Sequence, residues 1–81
     1  MLSESHSLID ELPDHKHAIG ALKEKNNHFA RLYGEYDSLN KEILRIEKGA
    51  EAASDERLEN LKKERLARKD EMMKMIEGFE A

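Results

Sequence analysis

Residues 29–46 read FARLYGEYDSLNKEILRI, and the apolar spacing in this stretch decides the fold. The apolar side chains recur alternately three and four residues apart, at Phe29, Leu32, Tyr36, Leu39, Ile43 and Ile46. Such an a/d repeat puts all of these side chains on one face of a helix, where a second helix can cover them. The stretch therefore predicts a long amphipathic helix over residues 26–48.

A second helix is predicted after a short connection at residues 49–54. Gly49 follows Lys48, which is a common helix ending, and Ser54 precedes two acidic residues, which is typical of a helix start. This helix is predicted over residues 55–78, and its stripe continues to Phe79. Again at spacings of three and four, the stripe contains Leu58, Leu61, Arg65, Arg68, Met72, Met75 and Phe79, and Ile76 widens it.

Two amphipathic helices joined by a short loop fold back on each other in antiparallel orientation. With the fold-back centred in the loop, Ile43 faces Leu61, and Leu32 faces Met72. The predicted fold class is therefore all-α, an antiparallel two-helix hairpin resembling a coiled coil. The chain of 81 residues is predicted to form a single domain, residues 1–81.

A short N-terminal helical extension is predicted over residues 5–25. Leu8, Ile9 and Leu12 suggest one or two helical turns, and Pro13 is suited to the first turn of a second segment. The apolar register then slips at Asn26-Asn27, and asparagine is a poor residue for a helix interior. Two alternatives remain open there: the helix bends, or one helix ends and another begins.

Composition and the N-terminal sequence limit the class of protein. Charged residues make up 40% of the chain and no cysteine is present, so disulfides and thiolate chemistry are excluded. The first residues lack the basic and apolar regions of a signal peptide, and no apolar run has the length of a membrane span. A cytoplasmic protein without a membrane partner is the expectation.

The sequence resembles the YdcH-like family of small bacterial proteins of unknown function. The resemblance covers the chain from about Leu8 to Ile76. It lies in the stretches HFARL (28–32), EYDSLNKEI (35–43), RIE (45–47), SDE (54–56), LKKERL (61–66) and KDE (69–71). It implies a helical hairpin in a bacterial cytoplasm and implies no enzymatic activity, cofactor or catalytic residue. Two places depart from the family pattern, since Asn26-Asn27 replaces Ser-Asp, and Arg68 stands where an aliphatic residue is usual.

No motif in the sequence predicts catalysis, a cofactor or a metal site. The four histidines, His6, His15, His17 and His28, are interpreted as exposed side chains. His15 and His17 would point about 200° apart on a helix, which is a poor chelate. The chain has neither an HExxH motif nor a glycine-rich phosphate loop, and a hairpin offers no deep pocket for a catalytic triad. The protein is therefore predicted not to be an enzyme.

The main functional hypothesis is a small interaction or structural module that acts through the surface of the hairpin. Its candidate face is the apolar end of the hairpin, formed by Phe29, Met72, Met75, Ile76 and Phe79. Methionine-rich faces adapt to different partners. This face would bind an unknown protein partner or a second copy, unless the N-terminal segment folds back and covers it.

The alternative hypothesis is a nucleic-acid-associated regulator. Residues 57–69 hold six basic side chains against two acidic ones, namely Arg57, Lys62, Lys63, Arg65, Arg68 and Lys69. Such an excess of positive charge can contact phosphates. The basic residues are spread around the helix, however, and acidic residues follow directly. A solvated helix face is therefore the preferred interpretation of this segment.

Overall fold

A computed structural model describes residues 8–81, and every regular element in that range is helical. The elements in chain order are α1 (Leu8–Glu11), a 3₁₀ turn (Pro13–His15), α2 (Lys16–Lys25), α3 (Asn27–Glu47) and α4 (Asp55–Glu80). Helices α3 and α4 form the antiparallel hairpin, so the predicted all-α fold is confirmed. His6 and the beginning of the predicted N-terminal extension lie outside the described residues.

The turn of the hairpin is formed by local sequence signals. Helix α3 ends in a Schellman motif, in which Gly49 donates to Ile46 O at 3.1 Å and Ala50 donates to Arg45 O at 2.9 Å. This motif needs a left-handed residue, and Gly49 has φ of 82°. Ser54 Oγ then accepts from the Arg57 amide at 3.1 Å and caps α4.

Two hydrophobic clusters lie along the interface between α3 and α4, which is the seam of the hairpin. The cluster near the turn contains Leu39, Ile43 and Leu61, as the register predicts. The larger cluster lies at the open end and combines side chains from α1, α2, α3 and α4. Its buried members are Leu8, Ala18, Ile19, Leu22, Phe29, Leu32, Tyr36, Met72 and Ile76.

A polar layer separates the two clusters where arginines occupy the stripe of α4. Arg65 donates to Asn40 Oδ1 at 3.0 Å, and Arg68 donates to Glu35 Oε1 at 3.0 Å. Asn40 is itself buried, so the bond from Arg65 satisfies a polar group that has lost its water. The guanidinium groups of these two arginines therefore bind polar side chains of α3 at the sides of the seam.

The joint between α2 and α3 is the single residue Asn26. Its backbone is extended, with φ of −127° and ψ of 108°, and its side chain accepts from the Phe29 amide at 3.0 Å. Of the two alternatives for this position, the structure shows that one helix ends and another begins. The change of direction brings α2 back against α3 and α4.

Candidate functional site

The predicted interaction face is divided between the interior and the surface. Phe29, Met72 and Ile76 are fully buried, because the N-terminal segment of residues 8–25 covers them. Met75 is partly buried against the same cluster. Phe79 is the member that remains exposed, with 44% of its surface accessible.

A polar clamp fastens α1 to the middle of the hairpin. Glu11 Oε1 accepts a hydrogen bond from the Tyr36 hydroxyl at 3.2 Å and from Lys69 Nζ at 2.8 Å. Lys69 therefore lowers the pKa of Glu11, and the same bond raises the pKa of Lys69. Burial raises the pKa of Tyr36, so its hydroxyl stays protonated and donates. The clamp holds the buried Leu8 over the larger cluster.

The clamp gives a testable pH dependence of stability. Glu11→Gln should lower the free energy of unfolding at pH 7 by no more than about 1 kcal/mol, because the ion pair is partly exposed. The folded-state pKa of Glu11 is depressed, so the contribution of its charge is present above the ordinary value of 4.5. It is lost as the pH falls through the folded pKa.

Urea unfolding of the two proteins at pH 7 and at pH 3 would measure this effect. The difference between wild type and Glu11→Gln should shrink at the lower pH. A difference of equal size at both pH values would contradict the clamp.

A second contact joins the N-terminal segment to the end of α4. His15 Nδ1 lies 3.0 and 2.9 Å from the two carboxylate oxygens of Glu80. The hydrogen bond to Glu80 raises the pKa of His15. The N-terminal segment is thus tied to α4 at two positions, Glu11 and His15.

A shallow groove lies between α2, the 3₁₀ turn and the last turn of α4. Phe79 and the small residues Gly20 and Ala21 are among the residues that line it. A Cβ atom added at Gly20 would meet nothing within 4 Å, which shows how open the groove is there. Its remaining lining is Pro13, Asp14, Lys16, His17, Glu24 and Lys25. A lining that combines apolar side chains with side chains of both charges is suited to contact with another protein.

The basic segment is largely paired within the chain. Three of its members reach acidic side chains on α3, in the pairs Arg57–Glu42, Lys62–Glu47 and Arg68–Glu35. Lys69 binds Glu11, and Arg65 binds Asn40. Lys63 is exposed. A phosphate would therefore compete with existing pairs at most of these positions.

The histidines of the described region have different neighbours. His15 pairs with Glu80, His28 lies 2.7 Å from Glu71, and His17 lines the groove. Within residues 8–81, no three His, Cys, Asp or Glu side chains come together in a group that could hold a metal ion. None of the helices in that range combines the length and apolar character that crossing a membrane requires.

The seam and the caps define a class of protein, the small helical-hairpin proteins. Within that class, the chain belongs to the family described as "Protein of unknown function (DUF465)", whose model matches residues 29–76. This family includes the YdcH-like small bacterial proteins of unknown function, so the predicted family is confirmed. No curated protein and no solved structure matches the chain.

The polar clamp was not predicted from the sequence. Tyr36 offered a signal, since it occupies a seam position and its hydroxyl needs a polar partner once the ring is buried. Glu11 and Lys69 offered none, because they are 58 residues apart and each is an ordinary charged residue on a helix.

Proposed function

We propose that the protein is a non-enzymatic interaction module of the cytoplasm and that it binds another protein chain at the groove beside Phe79. The exposed Phe79 ring is the observation that carries this proposal. Aromatic side chains at the centre of an interface contribute much of the binding energy, because they bury a large area and lose little rotamer freedom.

A comparison with Leu66 favours the groove over other surfaces. Leu66 and Phe79 are the exposed large hydrophobic side chains among residues 8–81. Four of the six residues that line the pocket at Leu66 are charged, whereas four of the nine that line the groove are charged and Phe79 shares that lining with Gly20 and Ala21. A larger share of the groove lining is uncharged, so an incoming apolar side chain has more uncharged surface to contact beside Phe79.

The pairing of the basic segment favours a protein partner over a nucleic acid. A nucleic acid gains affinity when lysines and arginines neutralise its phosphates and release counterions. Most of the basic residues in residues 57–69 already have acidic or amide partners. Binding of phosphates would break these pairs and leave carboxylates beside the nucleic acid.

Two groove variants and two matched controls test the proposal by affinity purification from the source cell. Phe79→Ser removes the anchor, and Gly20→Met adds a long side chain at the groove, at a position where its Cβ meets nothing within 4 Å and with better helix propensity. As controls, Leu66→Ser removes the other exposed large hydrophobic side chain of the described residues, and Gly34→Met adds methionine at a glycine where a Cβ also meets nothing within 4 Å. We expect the groove variants to lose proteins that the wild type and both controls retain.

Two results would contradict the proposal. One is equal retention of the same proteins by all four variants. The other is co-purification of nucleic acid with a steep dependence on salt, which would support the alternative hypothesis. Sedimentation of each variant would show whether the bound chain is a second copy.

A further inference from the structure

The joint at Asn26 interrupts one helix at a single residue. Asn26 N still donates to Leu22 O at 2.9 Å, and Ala30 N donates to Asn26 O at 3.0 Å, so the helical ladders of α2 and α3 meet at this residue. The interruption affects the amides of residues 27–29 and the carbonyls of residues 23–25. In a continuous helix these groups would form three more hydrogen bonds.

In the observed structure the chain changes direction at Asn26, and we call this conformation the bent form. It has tertiary contacts in place of those three hydrogen bonds. It gains the cap from Asn26 to the Phe29 amide, at 3.0 Å, and the burial of Leu8 and Ile19 against the hairpin. It also places Lys23 Nζ 4.1 Å from the centre of the Tyr33 ring. Ten residues along a straight helix span about 15 Å, so this contact within one chain requires the bend.

We propose that two copies of the chain exchange their N-terminal segments by straightening at Asn26. A straight helix over residues 16–47 would be about 48 Å long and would carry residues 8–25 away from their own hairpin. The uncovered face would contain Phe29, Met72 and Ile76, which need apolar cover. The N-terminal segment of a second copy provides the same side chains that cover this face in the single chain.

Exchange re-forms the core contacts between copies, so little burial is lost. In the exchanged dimer, each straight joint gains three backbone hydrogen bonds and loses the one bond from the Asn26 cap. The free-energy cost of bringing two chains together opposes this gain. Concentration therefore decides which form is populated. The exchange does not depend on the groove beside Phe79, and Phe79→Ser should leave it unchanged.

Two substitutions at the joint shift the equilibrium in opposite directions. Asn26→Ala removes the cap and favours a continuous helix, which disfavours the bent form by roughly fivefold per chain. A dimer contains two joints, so its association constant should rise about 25-fold. Asn27→Pro suits the first position of α3 and the extended backbone of Asn26, but it breaks a continuous helix. It should lower dimerisation by more than about a hundredfold per joint.

Cross-linking distinguishes exchange from association through a surface. The chain has no cysteine, and His15 contacts Glu80 across the two parts that would separate. Chains carrying only His15→Cys are mixed with chains carrying only Glu80→Cys, unfolded, refolded together and treated with a short bismaleimide. If the chains exchange, the cross-linked dimer should have the mass of one His15→Cys chain plus one Glu80→Cys chain. This mixed dimer should be more abundant than either cross-linked homodimer. The excess should be largest on the Asn26→Ala background and absent on the Asn27→Pro background.

Several outcomes would overturn the proposal. One is an Asn26→Ala protein that folds and stays monomeric at all concentrations in sedimentation. Another is a dimer that yields no excess of the mixed cross-link, because that dimer would associate through a surface. If Asn26→Ala does not fold, wild type and Asn27→Pro refolded at high concentration decide the question. Equal yields of the mixed cross-link from these two proteins would then refute exchange.

Discussion

Ile43→Asp is expected to unfold the hairpin. Ile43 is 2% exposed and lies in the cluster near the turn with Leu39 and Leu61. An aspartate there would bury a charge among apolar side chains, with an expected loss of about 4 kcal/mol or more. A domain of this size has a total stability of about 5–10 kcal/mol, so most of its stability would be lost.

The measurement is far-UV circular dichroism during thermal unfolding, with two controls. Ile43→Val keeps an apolar side chain and should cost about 1 kcal/mol. Leu66→Asp introduces the same charge on the same hairpin at a position that is 57% exposed, and it should change stability by less than about 0.5 kcal/mol. A normal melting curve for Ile43→Asp would show that the seam has been assigned to the wrong face.

Phe29→Ala should have the second-largest effect. The Phe29 ring is fully buried in the larger cluster and contacts side chains from other helices. Its removal leaves a cavity under the N-terminal segment and should lower stability by about 3–5 kcal/mol. For a domain of this length, that loss corresponds to a fall in melting temperature of roughly 15–30 °C.

The two phenylalanines of the chain provide a matched comparison. Phe79→Ala makes the same truncation on a ring that is 44% exposed, and it should cost less than about 1 kcal/mol. Equal losses for the two variants, measured by denaturant unfolding, would be inconsistent with the described packing. A small loss for Phe79→Ala would also show that its ring is dispensable for folding and available for binding.

Local signals in the sequence predicted the hairpin because they act over one or two helical turns. The spacing from Phe29 to Ile46 specifies an apolar face whatever covers it. Gly49 and Ser54 satisfy the backbone groups at the two helix ends that form the turn. A short loop between two amphipathic helices leaves antiparallel packing as the simple way to bury both faces.

The position of the N-terminal segment depended on contacts that no local pattern contains. Glu11 and Lys69 are 58 residues apart, and His15 and Glu80 are 65 residues apart. The register slip at Asn26 indicated a break but gave no direction for the chain before it. The packing of the N-terminal segment on the hairpin determines which apolar side chains are covered. It buries Phe29, Met72 and Ile76 and leaves Phe79 exposed.

The sequence by itself determined the helices, the turn between them and the family of this protein. The helices and the turn follow from side-chain spacing and capping, which are set by residues near one another in the chain. The family follows from the resemblance of the sequence stretches between residues 28 and 71. The tertiary structure decided which apolar residues are buried, how the basic segment is paired and where a groove is formed. Burial and pairing depend on the position of one helix against another, and two side chains with the same spacing, such as Met72 and Phe79, have different exposures for that reason.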